Sequence, residues 1–183
     1  MRRIYTLVII AFVLAVIAWF GFGKTAHAPL VSENEIEIPH PSLTYQTTNK
    51  TVLAIAEEVK VHLDNRDYWL QLAIDLKNAD LYRSAEEVLL YTTTRWPADF
   101  VAFNNLGDLY QTYLKDYPKA ERAHKTTILL NSHNIQSYIN LSDLYRLHST
   151  GQEKEAVSIL EQGLRANPGN TQLTALLKEV QGD

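Results

Sequence analysis

Apolar side chains recur along most of this chain at intervals of three and four residues, the spacing that lines one face of an α-helix, and not at the alternate positions of a strand. The first such run, Val52, Ile55, Ala56, Val59 and Leu63, predicts an amphipathic helix within 50–65 that ends around Asp64 and Asn65. The pattern then repeats itself over 66–99, 100–134 and 135–170, units of 34, 35 and 36 residues. Each unit opens with an aromatic, a leucine three on, a small residue next, and a large apolar residue three further: Trp69-Leu72-Ala73-Leu76, Phe103-Leu106-Gly107-Tyr110, Tyr138-Leu141-Ser142-Tyr145. Each second half carries an alanine, a larger residue four on and a turn residue eight beyond: Ala85-Leu89-Pro97, Ala120-His124-Ser132, Ala156-Leu160-Pro168.

Only the interval from the small residue to the alanine varies, at 12, 13 and 14 residues. An insertion inside a helix rotates its apolar face by about 100° per residue, so the extra residues are expected in a surface turn between two rigid helices. Asn78-Ala79-Asp80, Asp116-Tyr117-Pro118 and Ser149-Thr150-Gly151 are the expected turns. The small residues then predict close helix pairs, Ala73 with Ala85, Gly107 with Ala120 and Ser142 with Ala156, near the short end of the 8–10 Å range. Gly107 in a helix interior costs about 1 kcal/mol relative to alanine, which points to a packing role. Past Asn170, residues 171–183 place Leu173, Leu176, Leu177 and Val180 on one helical face and polar residues on the other, as an end cap must.

This arrangement resembles the tetratricopeptide repeat (TPR) family, a 34-residue helix-turn-helix unit with a W-x2-L-G-x2-Y, then A-x3-F, then P pattern. The resemblance covers 105 of 183 residues and departs at His124, where an aromatic is usual, and at Ser132, where proline is usual. It implies an all-α right-handed superhelix of three units with a capping helix on either side, and a concave groove, lined by the first helix of each unit, that binds polypeptides. The residue before each motif leucine is an amide, Gln71, Asn105 or Asn140. Stacking would set these three in a row, surrounded by Asn104, Asp108, Gln111, Gln136, Asp143 and Arg146. Amides both donate and accept, which suits an extended peptide backbone, and the mildly acidic surroundings suit basic side chains. The family's clamp for C-terminal carboxylates fails here. Leu70 and Ile74 stand where its lysine and asparagine belong, Gln136 and Asn140 where its basic pair belongs, and only Asn105 fits.

Ahead of the helices, residues 4–23 are 20 uncharged, mostly large apolar residues, which at about 1.5 Å each span about 30 Å of hydrocarbon. With Arg2 and Arg3 on one flank and Trp19 and Phe20 toward the other, residues 1–24 are expected to be a transmembrane signal anchor with a cytoplasmic N-terminus and an extracytoplasmic helical domain on a bacterial-type cytoplasmic membrane. The alternative is a signal peptide cleaved near Ala28, after Ala26-His27-Ala28. Residues 25–49, with Pro29, Pro39 and Pro41 and no helical period, are expected to be an extended linker.

Composition narrows the chemistry. The first 29 residues carry three positive charges and no acid, so the remainder carries −7 against −4 for the whole chain, which argues against nucleic-acid binding. There is no cysteine, hence no thiolate ligand or nucleophile. The six histidines show no metal-ligand or catalytic spacing; His124 falls on a packing position and is expected to be a core ring. No catalytic residue, metal or cofactor is expected. The sequence predicts a membrane-anchored interaction module, an adaptor or assembly factor, with a protein or peptide partner and the bilayer as its contacts; the alternatives are a self-associating component or an accessory subunit of an envelope enzyme complex.

Overall fold

Eight α-helices follow one another in a computed structural model that describes residues 41, 43, 45–148 and 151–182: α1 (Lys50–Val61), α2 (Arg66–Asn78), α3 (Tyr82–Arg95), α4 (Phe100–Asp108), α5 (Tyr117–Leu130), α6 (Ile135–His148), α7 (Glu153–Ala166) and α8 (Thr171–Gln181). The proposed anchor at 4–23, the cleavage site near Ala28, most of the 25–49 linker and the Ser149-Thr150 turn lie outside the described residues. Among those that are described, no helix is long and apolar enough to cross a membrane.

The helix starts repeat because their caps repeat. Asn65, Asp99 and Asn170 each accept a backbone N–H of the helix they precede, and Asn134 does the same for Ser137. These four caps stand 34, 35 and 36 residues apart, so the units are in register from their first residue. Asn49 caps α1 in the same way, through Thr51 and Val52. That helix stops at Val61, short of the expected Asp64–Asn65, because His62 leaves the α region.

First helices α2, α4, α6 and α8 form one layer and second helices α3, α5 and α7 the other. Side chains about one unit apart join neighbours: Arg66 to Asp99, Lys119 to Glu86, Asn140 to Asp108, and Arg146 to Glu179. Burial pushes the Glu86 carboxyl up, but hydrogen bonds from Arg83, Tyr110 and Lys119 hold it below the ordinary value. The aromatic that opens the unit is an anchor in the first and third units, whereas Phe103 of the second is only half-buried. Trp69 and Tyr138 are fully buried, and each donates to a carbonyl six residues upstream, Leu63 at 2.9 Å and Ser132 at 3.1 Å. All six small residues of the expected close pairs are buried.

Unit two corrects the expected site of insertion. Asp80, Lys115 and Gly151 all have positive φ, at 61°, 56° and 80°, and each stands five residues before its unit's motif alanine. Measured from that common point, the extra residue of unit two lies in the first helix and not in the turn. Leu109–Leu114 continue α4 as a π-helix, a wider coil that absorbs one residue without rotating the apolar face of the helix before it. Tyr117 and Pro118, expected in the turn, are the first residues of α5.

The end of the linker also differs from a solvated spacer. Pro41 is buried, and Leu43 and Tyr45 pack against the core. Burial and the nearby Glu87 carboxylate push the Tyr45 phenol well above its usual range. Apolar side chains at alternate positions 41, 43 and 45 give this stretch one sticky face.

Candidate binding face of the first helices

The nine residues predicted to line the groove all lie on α2, α4 with its π extension, and α6. The expected row of three amides is not a set of equivalents. Gln71 is exposed and bonds along its own helix to Asp75 at 3.0 Å. Asn105 is half-buried. Asn140 is occupied on every side: its Nδ2 donates to Asp108 at 2.7 Å, its Oδ1 accepts from Gln136 at 2.7 Å, and its backbone carbonyl accepts from Gln111 at 3.2 Å.

Asp108 and Asn140 centre a network that fastens α4 to α6. Asn104 donates to Asp108 at 3.4 Å and accepts from Ser137, a buried hydroxyl, at 3.1 Å. Burial raises the Asp108 carboxyl above its ordinary value against the opposing pull of Lys77 and Asn140. Asp143 is raised too, first by burial and then by Glu179, with Arg146 and His148 pulling down. Arg146 reaches Glu179 at 2.8 Å and Asp143 at 3.8 Å. Both aspartates carry their negative charge at a cost, which an incoming cation or N–H donor would offset.

Ser137, Lys77 and Glu179 were missed from the sequence. Glu179 was legible: Asn134 and Asn170 are 36 residues apart, as are Asp143 and Glu179, and Asp108 precedes Asp143 by 35. One carboxylate therefore recurs at the same register on α4, α6 and α8, where α2 has Ile74. As an end cap alone, α8 would not be expected to carry a residue of the face.

Gln111 turns inward. Its Oε1 meets His124 Nε2 at 3.1 Å while its Nε2 serves Asn140, so it links the core to the face. His124 has no exposure and lies in the core as expected. Burial depresses its pKa to about 4. In the unfolded chain the imidazole protonates below about pH 6.5, whereas the folded one stays neutral down to about 4. This contribution to stability is present above the unfolded pKa and is lost as pH falls through that window. The raised Asp108 and Asp143 act in the opposite sense, since the folded state takes up protons first there. Comparing urea titrations of the wild type and His124→Leu isolates the histidine: between pH 6.5 and 5 the wild type should lose about 2 kcal/mol more than the variant. Parallel pH profiles would contradict the assignment.

Among the described residues no cluster of three His, Asp or Glu side chains could hold a metal ion. What the face offers is hydrogen-bond donors, acceptors and under-compensated carboxylates. No protein-family model matches the sequence, and no curated protein matches it. Solved structures do match. The chain aligns with the crystal structure of MamA at 22% identity and a TM-score of 0.59, over 72% of this chain and 77% of that one. It aligns with the second TPR domain of human RPAP3, determined in complex with an HSP70 peptide, at 19% identity and a TM-score of 0.52, over 62% and 92%. It aligns with the Yersinia enterocolitica type III secretion chaperone SycD, in complex with a peptide of the translocator YopD, at 18% identity and a TM-score of 0.54, over 65% and 88%. At these identities the likeness is one of fold: the described residues fold as an all-helical solenoid of the tetratricopeptide-repeat type.

Proposed function

We propose that this protein is a membrane-tethered interaction module, an adaptor or assembly factor that holds an extended polypeptide segment with basic side chains along the face of α2, α4 and α6. The observation that carries this reading is the half-buried Asp108, held by Asn104 and Asn140 and raised by burial, with Asp143 raised in the same way one unit on. Carboxylates in this condition gain from a partner's ammonium, guanidinium or peptide N–H. The solved neighbours with peptides, RPAP3 and SycD, support a peptide as the kind of partner. The apolar run at 4–23 supports the tether.

The test uses the full chain in membranes, with a photo-crosslinking residue in place of Asn105. That probe should capture a polypeptide. Adding Asp108→Asn and Asp143→Asn, which keep the shape and remove the charge, should weaken capture about tenfold, the loss of roughly 1.4 kcal/mol. Capture that is indifferent to both substitutions, or no capture at Asn105, defeats the reading.

A further inference from the structure

The turns that lead from each second helix to the next first helix form one edge of the solenoid. Arg95 reaches across from α3 to Asp64 at 2.7 Å, Arg66 to Asp99 at 3.4 Å, and Asn167 to the Ser132 carbonyl at 3.4 Å, so each bond ties one turn to its neighbour. Val61, Arg95, Leu130 and Ala166 each stand four residues before a cap, Asn65, Asp99, Asn134 or Asn170. They hold equivalent places on this edge.

Large apolar side chains stand out here into solvent. Val61 is 75% exposed and Leu129 72%, with Leu63 at 43% and Leu130 at 38%. Trp96 lies between them along the edge, half-buried, with the Arg95 guanidinium 5.6 Å from its ring. The repeat architecture requires none of the four aliphatic side chains. The equivalents of Val61 and Leu130 in other units are arginine and alanine, and the core takes in none of the four, though the half-buried Trp96 also packs against it.

We propose that this edge rests on the surface of the lipid bilayer, with Val61, Leu63, Trp96, Leu129 and Leu130 entering the interfacial layer. The proposal rests on the tether reading and adds an orientation to it. Residues 24–42 extend at most about 65 Å, and Leu43 already packs against the solenoid core; α1, at 12 residues, is only about 18 Å long. A bilayer entered at residue 23 is therefore within reach of the edge, and at that distance a small apolar row suffices, because the second contact is intramolecular. Aliphatic side chains flanking an indole match the boundary between headgroups and acyl chains. A second copy of the chain fits less well: five side chains on three turns fall far short of the roughly 20 residues per side of a stable protein interface.

The absence of cysteine makes the test direct, since one introduced cysteine carries one environment-sensitive fluorophore. The full chain is reconstituted into phosphatidylcholine–phosphatidylglycerol liposomes with the label at Val61→Cys, at Leu129→Cys, or at Glu155→Cys, an exposed position at the other end of the helices. Labels at 61 and 129 should emit to the blue and lose emission when headgroup nitroxide lipids are added, while the label at 155 does neither. If the protein floats with the liposomes and all three labels behave alike, the edge does not touch lipid and the proposal falls while the tether stands. If the protein does not float, the tether falls and takes the proposal with it. If the labels at 61 and 129 ignore nitroxide lipid but are quenched by a nitroxide-labelled copy of the chain, the edge pairs copies and the proposal is overturned.

Discussion

Trp69→Ala should cost about 4 kcal/mol of unfolding free energy, the middle of the range for truncating a large buried aromatic. Trp69 has no exposure, its indole N–H donates to the Leu63 carbonyl at 2.9 Å, and its ring packs against Tyr91 at 4.4 Å between centroids. One side chain thus ties the α1–α2 turn, α2 and α3 together. In a solenoid each unit leans on its neighbours only, so damage is local before it is global. Hydrogen exchange should rise first in 50–95, while 135–181 keeps its protection, and the midpoint should drop by on the order of 15 °C. Trp69→Phe, which keeps a six-membered ring but loses the N–H donor and part of the indole's volume, should cost less, about 2 kcal/mol. A loss below about 1 kcal/mol for the alanine variant, or uniform exchange along the chain, would contradict this account.

The repeat could be read from the sequence because the determinants of each helix are local. Apolar spacing fixes the buried face, caps such as Asp99 and Asn134 fix the start, and the fixed interval from Ala85, Ala120 or Ala156 fixes the second helix. Where two local structures give the same count, the reading went wrong. An extra residue in unit two lengthens the Gly107–Ala120 interval whether it enters a turn or widens a helix, and the α-helical rotation argument ignores the π solution seen at Leu109–Leu114. The candidate face was legible in membership but not in pairing. Every one of the nine residues lies on a first helix, yet nothing in a one-dimensional pattern says that Asn140 bonds to Asp108 across 32 positions, or that Gln111 turns from the face toward His124. Pro41, Leu43 and Tyr45 fall in a stretch that its prolines and lack of helical period mark as spacer, and three alternating apolar residues are too short a signal to outweigh that.

Gly107 is where the sequence pattern and the structure give different reasons for the same residue, and its substitution separates them. The pattern pairs it with Ala120 as a close contact between backbones. In the fold, the space a Cβ would need is filled by the His124 ring: its Nε2 would lie 2.8 Å away, its Nδ1 2.5 Å, and its Cε1 closer still. His124 is fully buried and bonded to Gln111, so the ring has no open path of retreat. On helix propensity alone, Gly107→Ala would stabilise by about 1 kcal/mol. Overpacking a closed core costs about 1–3 kcal/mol and occasionally more. With three ring atoms in collision the steric cost falls at the upper end of that range and wins, and the net effect should be a loss of about 2 kcal/mol. His124→Ala should cost a similar amount through its cavity and the stranded Gln111 carbonyl. The double variant should be more stable than the two losses summed by at least about 1 kcal/mol, because the methyl enters space the ring has left. Gln111 also holds the Asn140 carbonyl, so Gly107→Ala should increase hydrogen exchange along α6 as well as in α5, carrying a core collision to the binding face. Additive losses in the cycle, or a stabilised Gly107→Ala, would return Gly107 to a contact between backbones and leave His124 without a role in placing the face.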